Sequence, residues 1–220
     1  DLLVDHLVGD LELGLLDLKA GDVEPSFIFD QHLVLYRTES GEARVMEPYC
    51  PHLGAHIGHG GKVVGENIAC PFHAWEFDGN GEVKNIPYAK TIPKRAQEGS
   101  CLYSFPVQER NKMIFAWYHP RRIAPTFDIE DIPEVTDPNW SELDTYEFEF
   151  NSPIQESGEN AVDIAHFVYV HSAATMPKAE ITLDGVRRTT DMVTQGPVID
   201  EQGNMDLSKT EDMHLVSKNW

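Results

Sequence analysis

Two short stretches decide how this sequence is interpreted: residues 50–56, Cys-Pro-His-Leu-Gly-Ala-His, and residues 70–75, Cys-Pro-Phe-His-Ala-Trp. Each stretch places one cysteine and one histidine on a tight loop, as C-x-H in the first and C-x-x-H in the second. Two such loops can close around one metal centre. Mixed ligation by two Cys and two His suits either a tetrahedral zinc ion or a 2Fe-2S cluster with Cys on one iron and His on the other.

The distribution of the ligands between the loops favours the cluster over zinc. Zinc sites with this composition usually place two Cys together and two His together, whereas here each loop carries one of each. A zinc-stabilised interaction module remains the alternative, and it predicts a colourless protein. Cys101 has no metal-binding neighbour in the sequence, so we interpret it as a buried small hydrophobic residue.

The composition narrows the function classes. The chain has 220 residues, with 17 Lys plus Arg against 37 Asp plus Glu and a net charge of −20. This acidity argues against a nucleic-acid partner and against anionic membrane surfaces. No apolar run approaches the roughly 20 residues of a membrane span. Acidic first residues are unlike a signal peptide, and three cysteines give no disulfide framework, so we expect a cytoplasmic protein.

The first half of the sequence reads as short strands and turns. Because such strands recur at close spacing, we expect a small antiparallel barrel or sandwich. The predicted strand pairs and their turns are residues 32–38 and 43–49 around 39–42, residues 75–77 and 82–83 around 78–81, and residues 102–108 and 112–118 around 109–111.

The second half is more mixed, and the whole is therefore predicted to be α+β. Prolines spread over residues 120–138 predict an extended linker. The predicted elements after it are a strand over 145–150, a helix over 155–171 with Ala161, Ile164, Ala165 and Val168 at helical spacing, and strands over 181–216 with turns at 184–185 and 201–204.

A second set of candidate ligands lies in the predicted helix. Asp163 and His166 are at i and i+3, so they share a helical face. His166 and His171 are five residues apart, roughly 140° around a regular helix. They could therefore bind one metal only if the helix ends or distorts between them, and residues 172–177 look like such an ending.

The two loops closely resemble the cluster-binding loops of a Rieske domain. The D-x-x-H-x-x-x-x-H pattern downstream is similar to the mononuclear iron motif of Rieske non-haem iron oxygenases. Residues 86–89, Ile-Pro-Tyr-Ala, and residues 163–171 look closest to the branch of the 3-ketosteroid 9α-hydroxylase oxygenases and the cholesterol 7-desaturases. The resemblance implies an all-β Rieske domain over 1–120, a linker over 121–144 and the first part of an α+β catalytic domain over 145–220.

The resemblance also implies the cofactors and the roles of the candidate residues. The family holds a Rieske 2Fe-2S cluster and a mononuclear Fe(II) with two His and one carboxylate as ligands, leaving open positions for dioxygen. Asp163 would bridge toward a Rieske histidine of a neighbouring subunit and carry electrons between them. The implied cluster ligands are Cys50, His52, Cys70 and His73, and the implied ligands of the mononuclear iron are His166 and His171.

Some positions depart from other Rieske proteins. Ala55 and Phe72 stand where the Rieske proteins of respiratory and photosynthetic complexes carry a disulfide, and Trp75 stands where they tend to have a hydroxyl donor. Fewer hydrogen bonds to the sulfurs should place the reduction potential toward the low end of roughly −150 to +300 mV. His56 and His59 lie in the same loop region, where we expect solvated or loop-packing side chains rather than ligands.

The sequence thus predicts the terminal oxygenase component of a Rieske system. A reductase would deliver electrons from NAD(P)H, directly or through a ferredoxin, and O2 would hydroxylate or desaturate a small apolar substrate, steroid-like or aromatic. The complete protein is expected to form a homotrimer. In the family the third iron ligand follows the second His by more than a hundred residues, so we expect a truncated chain that is inactive alone. The alternative is a Rieske ferredoxin-type electron carrier without a catalytic site of its own.

Overall fold

A computed structural model describes residues 18–99, 101–142, 151–160, 162–171, 173–185, 187–199 and 205–219. The chain divides into two compact units, Asp1–Glu147 and Phe148–Trp220. In chain order the elements are β1 (Val23–Ile28), β2 (Gln31–Arg37), β3 (Ala43–Met46), β4 (Lys62–Val64), β5 (Asn67–Ala69), β6 (Glu76–Phe77), β7 (Val83–Asn85), α1 (Lys94–Gln97), β8 (Ser104–Phe105), β9 (Val107–Arg110), β10 (Met113–Ala116), a 3₁₀ turn (Pro133–Val135), α2 (Ile154–Asn160), α3 (His166–Tyr169), β11 (Lys178–Asp184), β12 (Arg187–Ile199) and β13 (Met205–Asn219).

The first unit consists of antiparallel sheets, which pack against the two faces of the sheet that contains β2. One sheet has the order β1-β2-β3-β8 and another the order β4-β5-β6-β7, while β9 and β10 form a separate hairpin. Successive side chains of a strand point to opposite faces. Val34 and Tyr36 accordingly pack into one hydrophobic cluster and Leu33 and Leu35 into a second. All four are fully buried, which explains why residues 33–36 of β2 form an unbroken apolar run rather than an alternating one.

The first of these clusters supports the two cysteine loops. It contains Cys50 and Cys70 together with Ile68 and Phe77 from the β4-β5-β6-β7 sheet. Because both cysteines belong to this packed interior, the loops begin from fixed positions: Cys70 directly follows β5, and Cys50 directly follows the isolated bridge residue Tyr49. The predicted hairpin over 32–49 and the turn at 78–81 are confirmed, and the sheets within the described residues are open rather than closed into a barrel.

The turn of the β9–β10 hairpin lies at residues 111–112, whereas the sequence predicts it at 109–111. The turn residues Asn111 and Lys112 are both at positive φ. Asn111 is in the turn as predicted, because Asn tolerates the left-handed conformation better than most residues, whereas Glu109 and Arg110 belong to β9. Pro106, which cannot donate to a strand ladder, separates β8 from β9 within the predicted strand 102–108.

The second unit combines two short helices with a sheet in the order β11-β12-β13. The predicted strands over 181–216 are confirmed, with a register shift at Pro197, where a ladder hydrogen bond cannot form. The predicted strand 145–150 and the turn 201–204 lie outside the described residues. Among the described residues no helix has both the length and the apolar character needed to cross a bilayer.

The prediction of one helix over 155–171 is wrong. The structure has α2 and α3 at the two ends of this range and a non-helical segment around Asp163. There the carboxylate of Asp163 accepts a hydrogen bond from the backbone N–H of Ala165, at 3.0 Å. Asp side chains compete for backbone N–H groups in this way and favour turns over continuous helix, so apolar spacing alone is misleading here.

Candidate functional site

The two cysteine loops have the same backbone construction. In the first, the N–H of Gly54 donates to the carbonyl of Cys50 at 2.8 Å, and the N–H of Cys50 donates to Ala55 at 2.9 Å. In the second, Ala74 donates to Cys70 at 3.0 Å, and Cys70 donates to Trp75 at 2.9 Å. Each loop is thus closed by a pair of hydrogen bonds at equivalent positions, four and five residues after its cysteine.

The residue four positions after the cysteine of each loop has a left-handed backbone. Gly54 has φ +75° and Ala74 has φ +54°. Apart from Gly54 itself and its two chain neighbours, no atom of the described residues lies within 4 Å of where a Cβ of Gly54 would be, so its positive φ rather than crowding favours glycine at this position. The two loops therefore present their cysteine and histidine side chains in similar ways.

The two thiols form a buried pair. Cys50 is 2% exposed and Cys70 is 3% exposed, and the two thiols interact electrostatically. The pKa of the Cys50 thiol is raised to about 11, mainly by burial and also by the neighbouring Cys70, and the backbone N–H groups of His52 and Leu53 act against this rise. The thiol is therefore neutral in the protein alone, and a bound cation would be needed to stabilise the thiolate.

The two imidazoles form a second pair. The ring centroids of His52 and His73 lie 4.7 Å apart, with the ring planes at 70°. The Nδ1 atom of His52 is buried and has no hydrogen-bond partner among the described residues. A buried ring nitrogen without a partner costs free energy unless something binds it, and a metal ion is a suitable acceptor of its lone pair.

This donor set fits a 2Fe-2S cluster. Within the part of the chain that the structure describes, no three or more His, Cys, Asp or Glu side chains surround a single metal position. The four candidate side chains instead form one thiol pair and one imidazole pair. A Rieske cluster takes two Cys on one iron and two His on the other, which is this division of ligands.

Other rings pack around the imidazole pair. The indole of Trp75 lies parallel to the imidazole of His52, with centroids 4.8 Å apart and an interplanar angle of 8°. Its Nε1–H donates to the hydroxyl of Tyr88 at 2.8 Å. Sequence reasoning did not find this contact, because the two residues are thirteen positions apart and only the fold brings them together.

The remaining residues of the loop region are not part of the ligand pairs. His56 packs against His32, Tyr49 and His59, with ring centroids 5.8, 5.3 and 4.4 Å away. Burial, followed by the nearby His59 and His32, lowers the pKa of His56. Cys101, which the sequence predicts to be buried, is half-buried and packs against the first hydrophobic cluster.

The second candidate site lies where α3 begins and ends. His166 is its first residue and His171 follows its end at Tyr169. The backbone N–H of Val170 donates to the carbonyl of His166 at 2.7 Å, which closes the short helix. Because the helix ends before His171, the two imidazole centroids come within 5.1 Å of each other. The condition that the sequence set for a shared metal is therefore met.

Asp163 fixes the ring of His166. The Nδ1 atom of His166 is hydrogen-bonded to the backbone carbonyl of Asp163, and it lies 4.0 Å from the carboxylate oxygen Oδ2. A carbonyl can only accept a hydrogen bond, so Nδ1 carries the proton and Nε2 of the neutral ring keeps its lone pair. An imidazole oriented in this way is suited to bind a metal through Nε2.

The acids that follow His171 do not join this pair in the described residues. Three of them have other partners: Asp191 pairs with His214, Asp206 with Ser208 and Lys209, and Asp212 with Gln195. Asp184 is the last residue of β11 and is exposed, while Asp200 lies outside the described residues. The ligand roles of all the candidate residues remain predictions.

Comparison with known proteins is consistent with both sites. Residues 14–106 match the Rieske 2Fe-2S domain, and residues 116–220 match the 3-ketosteroid 9alpha-hydroxylase C-terminal domain. A cholesterol 7-desaturase of Xenopus laevis is 38% identical over 165 residues, covering 74% of this chain and 36% of that protein. The oxygenase component of a 3-ketosteroid-9-alpha-monooxygenase of Rhodococcus rhodochrous is 35% identical over 163 residues, covering 72% and 40%.

Solved structures give the same picture. The crystal structure of dicamba monooxygenase bound to dicamba is similar with a TM-score of 0.63 and 26% identity, covering 78% of this chain and 52% of that one. The chain therefore spans less than half the length of the two sequence relatives above and about half of this structure.

Proposed function

Since this chain belongs to the Rieske non-haem iron oxygenases, we propose that it is part of a terminal oxygenase component. The reaction is hydroxylation or desaturation of a small apolar substrate by O2. The steroid-related relatives favour a steroid-like substrate, and the dicamba monooxygenase structure favours an aromatic one. One observation supports the proposal above all: two Cys–His loops with buried cysteines are followed in the same chain by the His166–His171 pair.

The proposal assigns a task to each side chain. Cys50, His52, Cys70 and His73 would hold the cluster, and His166 and His171 would hold the mononuclear iron. When bound, the cluster supplies single electrons and the iron supplies a site where O2 can be activated. The N–H groups of His52 and Leu53 stabilise negative charge on the Cys50 sulfur. Asp163 orients the ring of His166 through its backbone carbonyl.

The partners follow from the same proposal. An NAD(P)H-dependent reductase supplies the electrons, directly or through a ferredoxin. The complete protein is cytoplasmic and assembles as a homotrimer. In the trimer the carboxylate of Asp163 bridges toward a Rieske histidine of a neighbouring subunit. That carboxylate is 56% exposed, so it is accessible to a partner of this kind.

The first experiment is an absorption and EPR spectrum of the purified chain, with iron, sulfide and zinc counted. We expect a brown protein with two irons and two sulfides in the cluster and a reduced EPR signal typical of a His-ligated centre. Iron beyond two per chain would support the second site. A colourless protein with one zinc would contradict the electron-transfer function and support a zinc-stabilised module.

The electron carrier is the second candidate function, and His166 distinguishes it from the oxygenase. A carrier has no use for the His166–His171 pair, so replacing His166 by Ala would not change its iron content. An oxygenase component would lose iron beyond the cluster.

A further inference from the structure

The imidazole pair and two further rings form a continuous series of contacts. The four residues, in order, are Tyr88, Trp75, His52 and His73. Tyr88 accepts a hydrogen bond from Trp75 at 2.8 Å, Trp75 stacks on His52 at 4.8 Å, and His52 lies 4.7 Å from His73. The ring of Tyr88 also approaches His73, with centroids 6.4 Å apart at 67°. The chain of rings is therefore closed and touches both imidazoles.

Backbone hydrogen bonds hold the segments that carry the two non-imidazole rings, Trp75 and Tyr88. Trp75 closes the second cysteine loop, because its carbonyl accepts the N–H of Cys70 at 2.9 Å. Tyr88 lies in a turn in which Ala89 donates to the carbonyl of Ile86 at 2.9 Å. Ile86 is 3% exposed and, with Ala89, packs against the same hydrophobic cluster as the two cysteines. The two rings that flank His52 and His73 are therefore fixed to the same core as the loops.

A stacked indole restricts the one torsion of histidine that is otherwise loosely set. Rotation about χ2 of His is broad and roughly two-fold, unlike the staggered torsions of aliphatic side chains. With the indole parallel to it at 8°, the ring of His52 can rotate only by losing the stacking contact. The indole is in turn held by its hydrogen bond, because Nε1–H is a donor only and Tyr88 provides its acceptor.

We propose that Trp75 and Tyr88 are positioning residues, which set the ring plane of His52 and thereby the reduction potential and the spectrum of the bound cluster. This inference rests on the proposed function, since it requires a cluster held by the two loops. Partners that orient a ligand histidine change its basicity, and cluster potentials respond to hydrogen bonding and solvent access. Removing the indole face also lets water approach His52, which favours the more negative reduced state and raises the potential.

The exposure of Tyr88 makes the inference testable without unfolding the protein. Tyr88 is 62% exposed, so loss of its hydroxyl removes little buried structure and should leave the stability nearly unchanged. The variants are Tyr88→Phe, Trp75→Phe and the double variant. The matched control is Trp117→Phe, because Trp117 is also half-buried in the first unit and donates its Nε1–H, to the carbonyl of Ile123 at 2.9 Å.

The readouts are the reduction potential, the EPR line positions and the visible circular dichroism of the reconstituted cluster. We expect Tyr88→Phe and Trp75→Phe to raise the potential and change both spectra at unchanged iron and sulfide content, while Trp117→Phe matches the wild type. Because Tyr88 acts on His52 through its hydrogen bond to Trp75, the double variant should shift no further than Trp75→Phe alone. If Trp75→Phe does not retain a cluster, the potential and spectra of Tyr88→Phe alone test the inference.

Two results would contradict the inference, and they are distinguishable. Potentials and spectra equal to the wild type in both single variants would reject the positioning role and leave the proposed function intact. Absence of a 2Fe-2S cluster from the wild type itself would reject the proposed function and the inference with it.

Discussion

The two cysteines of the loops and the third cysteine of the chain have different surroundings. Cys50 and Cys70 form a buried thiol pair in loops that also carry His52 and His73, whereas Cys101 is half-buried and lies at the edge of the same hydrophobic cluster. The assignment of the cluster ligands depends on this difference in surroundings and not on the count of cysteines.

A pair of matched substitutions tests that assignment. We expect Cys50→Ser to abolish the cluster, because a serine hydroxyl does not replace a soft thiolate ligand of iron. Cys101→Ser makes the same chemical change in the same unit and should retain the cluster. Visible absorption with iron and sulfide analysis measures both. Full cluster content in Cys50→Ser would show that this residue is not a ligand.

The paired backbone of the two loops gives a prediction at the scale of the element. Gly54 and Ala74 occupy equivalent left-handed positions, and an alanine there costs about 1–2 kcal/mol relative to its ordinary conformation. We expect Gly54→Ala to lower the free energy of unfolding by about 1 kcal/mol or more and Ala74→Gly to raise it by about 1 kcal/mol. Urea denaturation measures both changes.

The control for Ala74→Gly is the same substitution in the other loop. Ala55 is not among the residues at positive φ, so Ala55→Gly should lower the stability by about 0.5–1 kcal/mol through the added freedom of the unfolded chain. Equal effects of the two Ala→Gly changes would mean that the left-handed backbone of Ala74 is not what determines the stability of its loop.

The turn of the β6–β7 hairpin gives a second prediction at this scale. Gly81 has φ +77°, and a Cβ there would lie 1.9 Å from the carbonyl oxygen of Leu102. That backbone cannot move aside easily, because the N–H groups of Cys101 and Leu102 both donate to the carbonyl of Gly81. We therefore expect Gly81→Ala to destabilise the protein by roughly 3 kcal/mol, from backbone conformation and overpacking together.

Gly65 separates these two contributions. Its φ is +61°, but no atom lies within 4 Å of a Cβ placed there. Gly65→Ala should therefore cost only about 1 kcal/mol, the conformational part alone. Urea denaturation of the two variants measures the difference, and a similar loss in both would contradict the clash with Leu102.

Local features of the fold could be predicted from the sequence, and those that depend on distant contacts could not. The cysteine loops and the 32–49 hairpin are set by neighbouring residues, so spacing and turn residues were sufficient. The prediction of a helix over 155–171 was wrong because apolar spacing says nothing about the Asp163 carboxylate. That carboxylate accepts a hydrogen bond from a backbone N–H of its own segment. The contact of Trp75 with Tyr88 depends on the packing of a separate turn against the core.

At the scale of the whole molecule, the two candidate metal sites are built from different parts of the chain. The four cluster residues belong to the unit Asp1–Glu147, and His166 and His171 belong to the unit Phe148–Trp220. The proposed sites share no ligand within the chain. Losses of metal caused by substitutions at the two sites should therefore add, as is usual for independent sites.

Counting iron in single and double variants tests this independence. After loading with Fe(II) and removal of free metal, His166→Ala should lack iron beyond the cluster while its EPR signal equals the wild type. Cys50→Ser should lose the cluster and keep the Fe(II) site, and the double variant should hold neither. His214→Ala is the matched control, since His214 is an exposed histidine of the same unit, paired with Asp191, and should retain both metals. Loss of the cluster in His166→Ala would contradict two separate iron sites. An unchanged iron count in that variant would also contradict them, because the ring that Asp163 orients would then have a different task.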